Sequence, residues 1–464
     1  MSPLVRILVL LVAAIGFLFD TYELLMFPAM GADGLGELMG LAPRDPQVTK
    51  WIGRTLWIAA LCGGVFGLLG GWMIDRFGRK RVMAISIFLY SFSPLAAAFS
   101  SEMWMLVLFR CTTFIGVCVE MVAAVTWLAE LFDDKRTREK AIAWTLATAS
   151  LGGVLVTAVY SWIVGHSADL PALPVRDGFN VHAPWRYTLL TGLIPGALIL
   201  LMLPFVPESA VWRRRKVEGT LKRPSFGELF SPSLLRTTLV TTVISACGYA
   251  AAFGALQMTP SIISAGLPDV VAKEKEVKAA EDAKDPNAKA MRGAQIKFVQ
   301  ERRGDIQLWQ ELGGLAGRIA LAVLLMFLPA RLLIRLFLMP AIVLFPLTYL
   351  KLVSNEYVIF ATAIFFCGLL TVAQFSFLSE FLPKVFPLHL RGTGGSFATN
   401  VGGRMIGTMA ATLNTEVLSG MFEGTRPMQV ATAAAVIGAV VFLLALIATI
   451  WLPQPQAETS AASA

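Results

Sequence analysis

Charge is scarce in this 464-residue chain. Only 15% of its residues are Asp, Glu, Lys or Arg and 56% are hydrophobic, against about 25% and about 45–50% in a typical soluble protein. Mean hydropathy is +0.68. A water-soluble core of this length cannot hide so much apolar surface, so much of the exterior must face lipid. Cysteine is sparse too: Cys62, Cys111, Cys118, Cys247 and Cys367 all fall inside apolar runs and show no metal-ligand spacing. They read as small buried apolar side chains rather than as a metal centre. No Gly-rich phosphate loop, HExxH or GxSxG motif stands in a loop, so a soluble-type enzyme site has no home. No cofactor is expected beyond a proton gradient as energy source. The net charge of +8 is spread over short loops between apolar runs, a pattern that specifies membrane topology rather than nucleic-acid binding.

What is present is apolar length. Runs of about 20 residues can cross a bilayer as helices, and twelve occur: 4–28, 51–74, 82–99, 103–129, 141–165, 187–206, 236–260, 308–329, 332–350, 357–380, 393–418 and 430–452. The first is too long, and too polar at its FDTYE end, for a cleaved signal peptide. The expected fold is an all-α integral membrane protein with twelve transmembrane helices in two pseudo-symmetric six-helix bundles.

One set of loops carries Arg76, Arg79, Lys80 and Arg81, then Lys135, Arg136, Arg138 and Lys140, then Arg213 to Lys216, then Arg331 and Arg335. The alternate loops are poorer in cations. The positive-inside rule puts the first set and both termini in the cytoplasm of a plasma or inner membrane protein. Residues 207–234 are the longest cytoplasmic connection and divide the chain into halves 1–206 and 235–452. The tail 453–464 has no apolar period and reads as disordered. LAELFDDKRTREKA, ending span four, is echoed by LSEFLPKVFPLHLRGTG, ending span ten. Two halves with related punctuation suggest a transporter built from repeats, its site between them.

The stretch GGWMIDRFGRKRVM, residues 70–83, joins spans two and three. Mere topology would explain its cations but not its aspartate and glycines. It resembles the loop signature of the major facilitator superfamily, with Gly71, Asp75, Arg76, Gly78, Arg79 and Lys80 matching position by position. The resemblance implies an inner-gate latch formed by these residues with Glu130 and Arg138 at the cytoplasmic end of the fourth span. Further stretches resemble the proton-coupled metabolite and sugar symporters of that superfamily. They are FRCTTFIGVCVEMVAAVTWLAELF (Arg110, Gly116, Glu120, Glu130), WRYTLLTGLIPG (Trp185, Arg186), VPESAVW (Pro207, Glu208, Ser209, Trp212) and RGTGGSFATNVGGRMIG.

Three departures stand out. FLPARLLIR, between spans eight and nine, lacks the acid and glycine of the opening stretch; Lys384 replaces a usual glutamate; and residues 266–306 form a charged extracytoplasmic insert. The insert mixes cations and anions almost evenly and is rich in helix formers broken by Pro286. It reads as a helical hairpin or two short helices acting as a solvated spacer, with a lid or partner-binding role as the alternative.

Ionisable groups inside spans are costly and usually functional. Asp20 and Glu23 in span one, Arg110 and Glu120 in span four, Glu311 and Arg318 in span eight, Glu380 in span ten and Arg404 in span eleven qualify. Arg54 and Lys50 lie near a span end, where they can snorkel. Substrate-contact candidates are Tyr22, Glu120, Tyr249, Gln257, Arg318, Gln374, Asn400 and Arg404. Asn400 and Arg404 share a face, and Glu311 could pair with Arg318. The resemblance implies that an acid of span one faces the span-four arginine. Glu23 matches it best, with Asp20 second, giving Asp20, Glu23 and Arg110 as proton-coupling residues. A permanent helix-locking salt bridge is the alternative for this trio. The favoured function is proton-coupled uptake of a small organic acid or related metabolite by a monomer. The alternatives are a sugar facilitator or sugar/proton symporter, suggested by VPES and WR, and a transporter-like sensor.

Overall fold

A computed structural model describes residues 3–131, 135–205, 208–218, 226–387 and 390–453; no strand occurs among them. Ten of the described helices are long and apolar enough to cross a membrane. The first half contains α1 (Pro3–Met39), α2 (Pro46–Phe77), α3 (Arg79–Ala98), α4 (Met103–Leu131) and α5 (Lys135–His166), then a rod made of α6 (Pro184–Thr191) and α7 (Leu193–Met202). A short α8 (Ala210–Val217) leads to the second half: α9 (Leu235–Ala251), α10 (Met258–Ser261), α11 (Pro268–Asp282), α12 (Ala288–Leu324), α13 (Ala330–Leu350), α14 (Tyr357–Glu380), α15 (Arg391–Phe397), α16 (Ala410–Thr412) and α17 (Arg426–Ala448).

Two of the expected spans take other forms. The eighth is the inner part of α12, a 37-residue helix that begins in the charged insert and runs on without a break. At 1.5 Å per residue it is about 55 Å long. The eleventh is a chain of short turns through residues 391–421, with π-helical stretches at Ala398–Ile406 and Leu413–Leu418. Span one is also longer than its apolar run suggests, since α1 continues to Met39 with Pro28 inside it.

The core is mainly apolar, and unlike a soluble protein's the exterior is apolar as well. Along α13, Leu332, Leu336, Met339, Val343, Leu347 and Leu350 recur at helical spacing and face outward, the stripe expected against lipid. Asp20, Glu23, Arg110, Glu120, Glu311, Asn400 and Arg404 are all buried. Helices meet through small residues, because lipid supplies no hydrophobic drive to join them and close van der Waals approach must do it. The seam between α12 and α14 shows this best. A Cβ on Gly313 would strike the Phe365 carbonyl, one on Gly317 the Leu369 carbonyl, and one on Gly368 the Gln310 carbonyl.

The insert is not a free spacer. It forms two helices, α11 and the start of α12, turning through residues 283–287. The Glu281–Arg292 pair fastens them at 2.6 Å, and the guanidinium holds the Glu281 carboxyl below its ordinary value. Most of the insert's charges, among them Lys275, Lys278, Asp282, Lys284 and Lys289, are solvent-exposed as the sequence suggested, but a few pack the hairpin. Arg302 bonds Asp269 at 2.6 Å and lies 3.9 Å over the Tyr357 ring, tying the hairpin to α14 of its own half.

Gly313→Leu should therefore weaken the α12–α14 seam by about 1–3 kcal/mol of overpacking. Gly293, on the same helix with nothing within 4 Å of an added Cβ, should tolerate alanine or gain stability. Thermal unfolding of the detergent-purified variants checks this: equal effects at both positions would contradict the seam.

Candidate functional site

The central polar cluster brings together α1, α4, α9 and the π-helical stretch around Arg404. Glu120, on α4, reaches α1 beside Gly16, whose added Cβ would come 2.5 Å from Glu120 Oε1. One turn further along α1, the Asp20 carboxyl lies near the Glu120 carboxyl. Both side chains are buried, and no N–H or O–H of the described protein donates to either Glu120 oxygen or to Asp20 Oδ1. Two ionised carboxylates are acceptors only and repel at close range, so the pair is a place where a proton could be held.

Across the boundary between the halves stands Arg404. Its Nη1 donates to Asn400 Oδ1 at 2.6 Å, and Nη2 approaches Met121 Sδ of α4 at 3.7 Å. Asn400 Nδ2 in turn donates to the Ser396 carbonyl at 3.0 Å, which fixes the amide orientation. The Tyr249 hydroxyl lies within reach of the guanidinium, and its ring meets Phe375 edge-on at 4.9 Å. Arg404's charge acts on Asp20 without an ion pair forming between them. π-Helical turns recur at functional sites because they re-aim side chains; here one carries both Asn400 and Arg404.

Arg110 departs from the expected arrangement. It engages Glu23 through the main chain: Nη1 donates to the Glu23 carbonyl at 2.6 Å and Nη2 to the Leu24 carbonyl at 2.7 Å. The reason lies in Pro28, which has no N–H to give the carbonyl four residues earlier. Arg110 supplies the missing donor at Leu24, with its guanidinium over the rings of Phe114 and Phe27. The Glu23 carboxyl turns instead to span six, against Gly192, where α6 gives way to α7. Neither of its oxygens meets a donor among the described residues. Tyr22 hydrogen-bonds Thr191 at 2.6 Å in the same place. Asp20 and Glu23 thus serve different neighbours.

The remaining candidates are scattered. Gln374 Nε2 bonds the Leu370 carbonyl of its own helix at 2.9 Å, and the buried Gln257 Oε1 lacks a donor. Glu311 accepts from Gln310 at 3.0 Å and packs on Gly153; it forms no ion pair with Arg318. Arg54, partly exposed near its span end, pairs with Glu416 of the other half through contacts of 2.6 and 3.0 Å.

At the basic end, Gly78 adopts φ +97° between α2 and α3, a conformation open to glycine. Arg79 then enters the interior and holds Glu130 with two bonds, Nη2–Oε1 at 2.7 Å and Nε–Oε2 at 3.0 Å. Glu208 accepts the backbone N–H groups of Arg79 and Lys80 at 3.1 and 3.2 Å, placing a carboxylate on the α3 N-terminus. Sequence reasoning found Glu208 within VPES but gave it no role. Arg76 stacks on Trp72 and Phe77, and Lys80 Nζ reaches the Pro204 carbonyl at 3.4 Å. These bonds brace the first half internally. The side chains of Asp75, Arg138 and Glu380, and the surroundings of Gly71, lie outside the described residues. The WR pair has a comparable bracing role at the opposite end. Trp185 and Arg186 both donate to Glu37 of α1, at 2.5 and 3.4 Å.

Residues 10–275, more than half of the chain, match the family model of the Major Facilitator Superfamily. The chain belongs to that superfamily of multi-pass membrane transporters. It is 25% identical over 256 residues to the sialic acid transporter NanX of Escherichia coli (strain K12), covering 54% of this chain and 56% of the relative. It is 26% identical over 207 residues to the arabinose-proton symporter of Bacillus subtilis (strain 168), covering 44% and 41%. The chain spans about half the length of such curated relatives, or less. In fold it is similar to the inward-open xylose transporter XylE from E. coli, with a TM-score of 0.66 over 97% of both chains at 16% identity.

Arg79→Ala leaves Glu130 partly buried without its partner, and such losses cost about 3–5 kcal/mol. Arg79→Lys keeps the charge but not the two-pronged geometry and should recover part of that loss. Thermal midpoints of the purified proteins should rank wild type, Lys, Ala; equal midpoints for all three would remove the brace.

Proposed function

We propose that this chain is a secondary transporter that takes up a small organic acid together with protons. It has twelve spans, halves 1–206 and 235–452, and the basic end and both termini in the cytoplasm. The observation that carries the reading is the Asp20–Glu120 carboxyl pair of the first half, buried, with no donor among the described residues to Asp20 Oδ1 or either Glu120 oxygen, and within the field of Arg404 of the second half. Charge accounting gives the coupling. Two carboxyls sharing one proton carry a single negative charge, which Arg404 offsets. A substrate carboxylate bound at Arg404 adds a negative charge, and a second proton on the pair restores neutrality. A neutral site can be enclosed by the low-dielectric interior during alternating access, whereas a charged one is penalised. Arg404 is the substrate anchor because a guanidinium matches a carboxylate with two parallel bonds. Asn400 and Tyr249 hold it in position. Likeness to a sialic acid transporter supports an acidic substrate, and likeness to an arabinose-proton symporter supports proton coupling. The gradient alone drives the cycle, with no cofactor.

A sugar/proton symporter is the second reading, favoured by the buried Gln257 Oε1, an acceptor that a sugar hydroxyl could satisfy. In proteoliposomes, a proton gradient should drive accumulation of labelled monocarboxylates and not of pentoses or hexoses. Asp20→Asn combined with Glu120→Gln should abolish that accumulation while counterflow exchange survives. Persistent accumulation in the double variant would remove the pair as the proton carrier, and accumulation of sugars alone would favour the second reading.

A further inference from the structure

We propose that the α11–α12 hairpin is a strap across the extracytoplasmic mouth. It grips the opposite half at the proline-interrupted segment of α1 and must release before the substrate site can open outward. The inference takes alternating access from the reading above but depends on no particular substrate.

Neighbouring arginines divide the work. Residues adjacent on a helix point about 100° apart, and while Arg302 fastens the hairpin to α14, Arg303 crosses to the other half. Its side chain, 3% exposed, bonds Asp33 at 2.7 Å and also donates to the Ala29 carbonyl at 3.1 Å. Gln300 adds a second bond to the same Asp33 oxygen at 3.1 Å. Gln307, one turn beyond Arg303, donates to the Leu25 carbonyl at 2.9 Å. These positions form one stripe of α12, aimed at α1 on either side of Pro28. Farther out, α11 contributes Glu274, which pairs with Arg44 beyond the end of α1.

A solvated spacer would leave these charges in water. Here Asp33 and Arg303 are withdrawn from it, so separating the halves exposes both as uncompensated charges until water enters. The hairpin therefore favours the outward-closed state. α12 shows no break between Arg303 and Glu311, so the grip on α1 moves with the helix that packs on Gly153 of α5.

The test uses the full-length protein with its own cysteines replaced. Ala29→Cys, buried one turn from Asp33, reports opening through its reaction with a membrane-impermeant maleimide added outside. Asp33→Asn and Arg303→Gln should each speed labelling by about tenfold. Arg44→Gln, at the partly exposed rim pair, should speed it less and is well placed to leave folding intact. Unchanged labelling in these variants, with the purified proteins still monodisperse, would overturn the strap. A second arm locks it. A Cβ on Gly304 would lie 3.7 Å from that of Ser161 on α5, within the disulfide range of about 3.5–4.5 Å. Oxidised Ser161→Cys/Gly304→Cys should lose uptake and recover it on reduction; uptake persisting through the complete disulfide would overturn the proposal. Labelling reads the gate without substrate, so a chain that carries no organic acid still passes or fails on it.

Discussion

A proline inside the first helix frees the Leu24 carbonyl, and side chains from both halves converge on the backbone around it. In a membrane protein an unmet carbonyl has no water to turn to. Arg110 of the same half takes the carbonyls of Glu23 and Leu24, while Gln307, Ser261 and Arg303 of the other half take those of Leu25, Pro28 and Ala29. The first half holds this stretch through one side chain that belongs to it permanently. The second half holds it through side chains that a rocking motion would carry away.

That arrangement separates two duties which spacing alone would assign to the same residues. Arg110 is committed to the backbone, so it is poorly placed to trade partners with an acid during a cycle. Asp20 and Glu120 are unencumbered: their carboxyls have each other and the distant field of Arg404. Glu23 is a third buried carboxyl, set against the break in span six. The site thus combines a support made of main-chain contacts with a small group of buried carboxyls that take no part in that support.

The division into apolar runs, the glycine turn at Gly78 and its attendant cations were legible in the sequence because each depends on local pattern. Asp20, Glu120, Asn400 and Arg404 were legible as individuals, since an ionisable or amide side chain inside an apolar run stands out. Their association was not, for it depends on how α1, α4 and the Arg404 stretch cross. Glu23 and Arg110 do lie together, and the guanidinium's charge acts on the carboxyl, but its hydrogen bonds go to the main chain. Spacing identifies which residues meet and does not distinguish a side chain from a carbonyl. Asp33 and Arg303 escaped notice for a related reason. Both lay outside the apolar runs, where evenly mixed charges look solvated, and the stripe Gln300, Arg303, Gln307 has meaning only with α1 opposite it. The glycine-rich run before Arg404 likewise gave no hint of π-helical turns, which preserve composition while changing direction.

The unbroken course of α12 constrains the length of the insert in a way that a loop would never impose. Each residue added to a helix turns everything beyond it by about 100° and advances it by 1.5 Å. One residue inserted near Gln295 would rotate Glu274 and the α11 arm away from Arg44 while leaving the glycine seam on α14 unmoved. The turn at 283–287 carries no such phase relation and can absorb extra residues. Tolerance to insertion should therefore differ abruptly over a few positions, and a scan of tag insertions along 280–305 would trace where the loop ends and the rod begins.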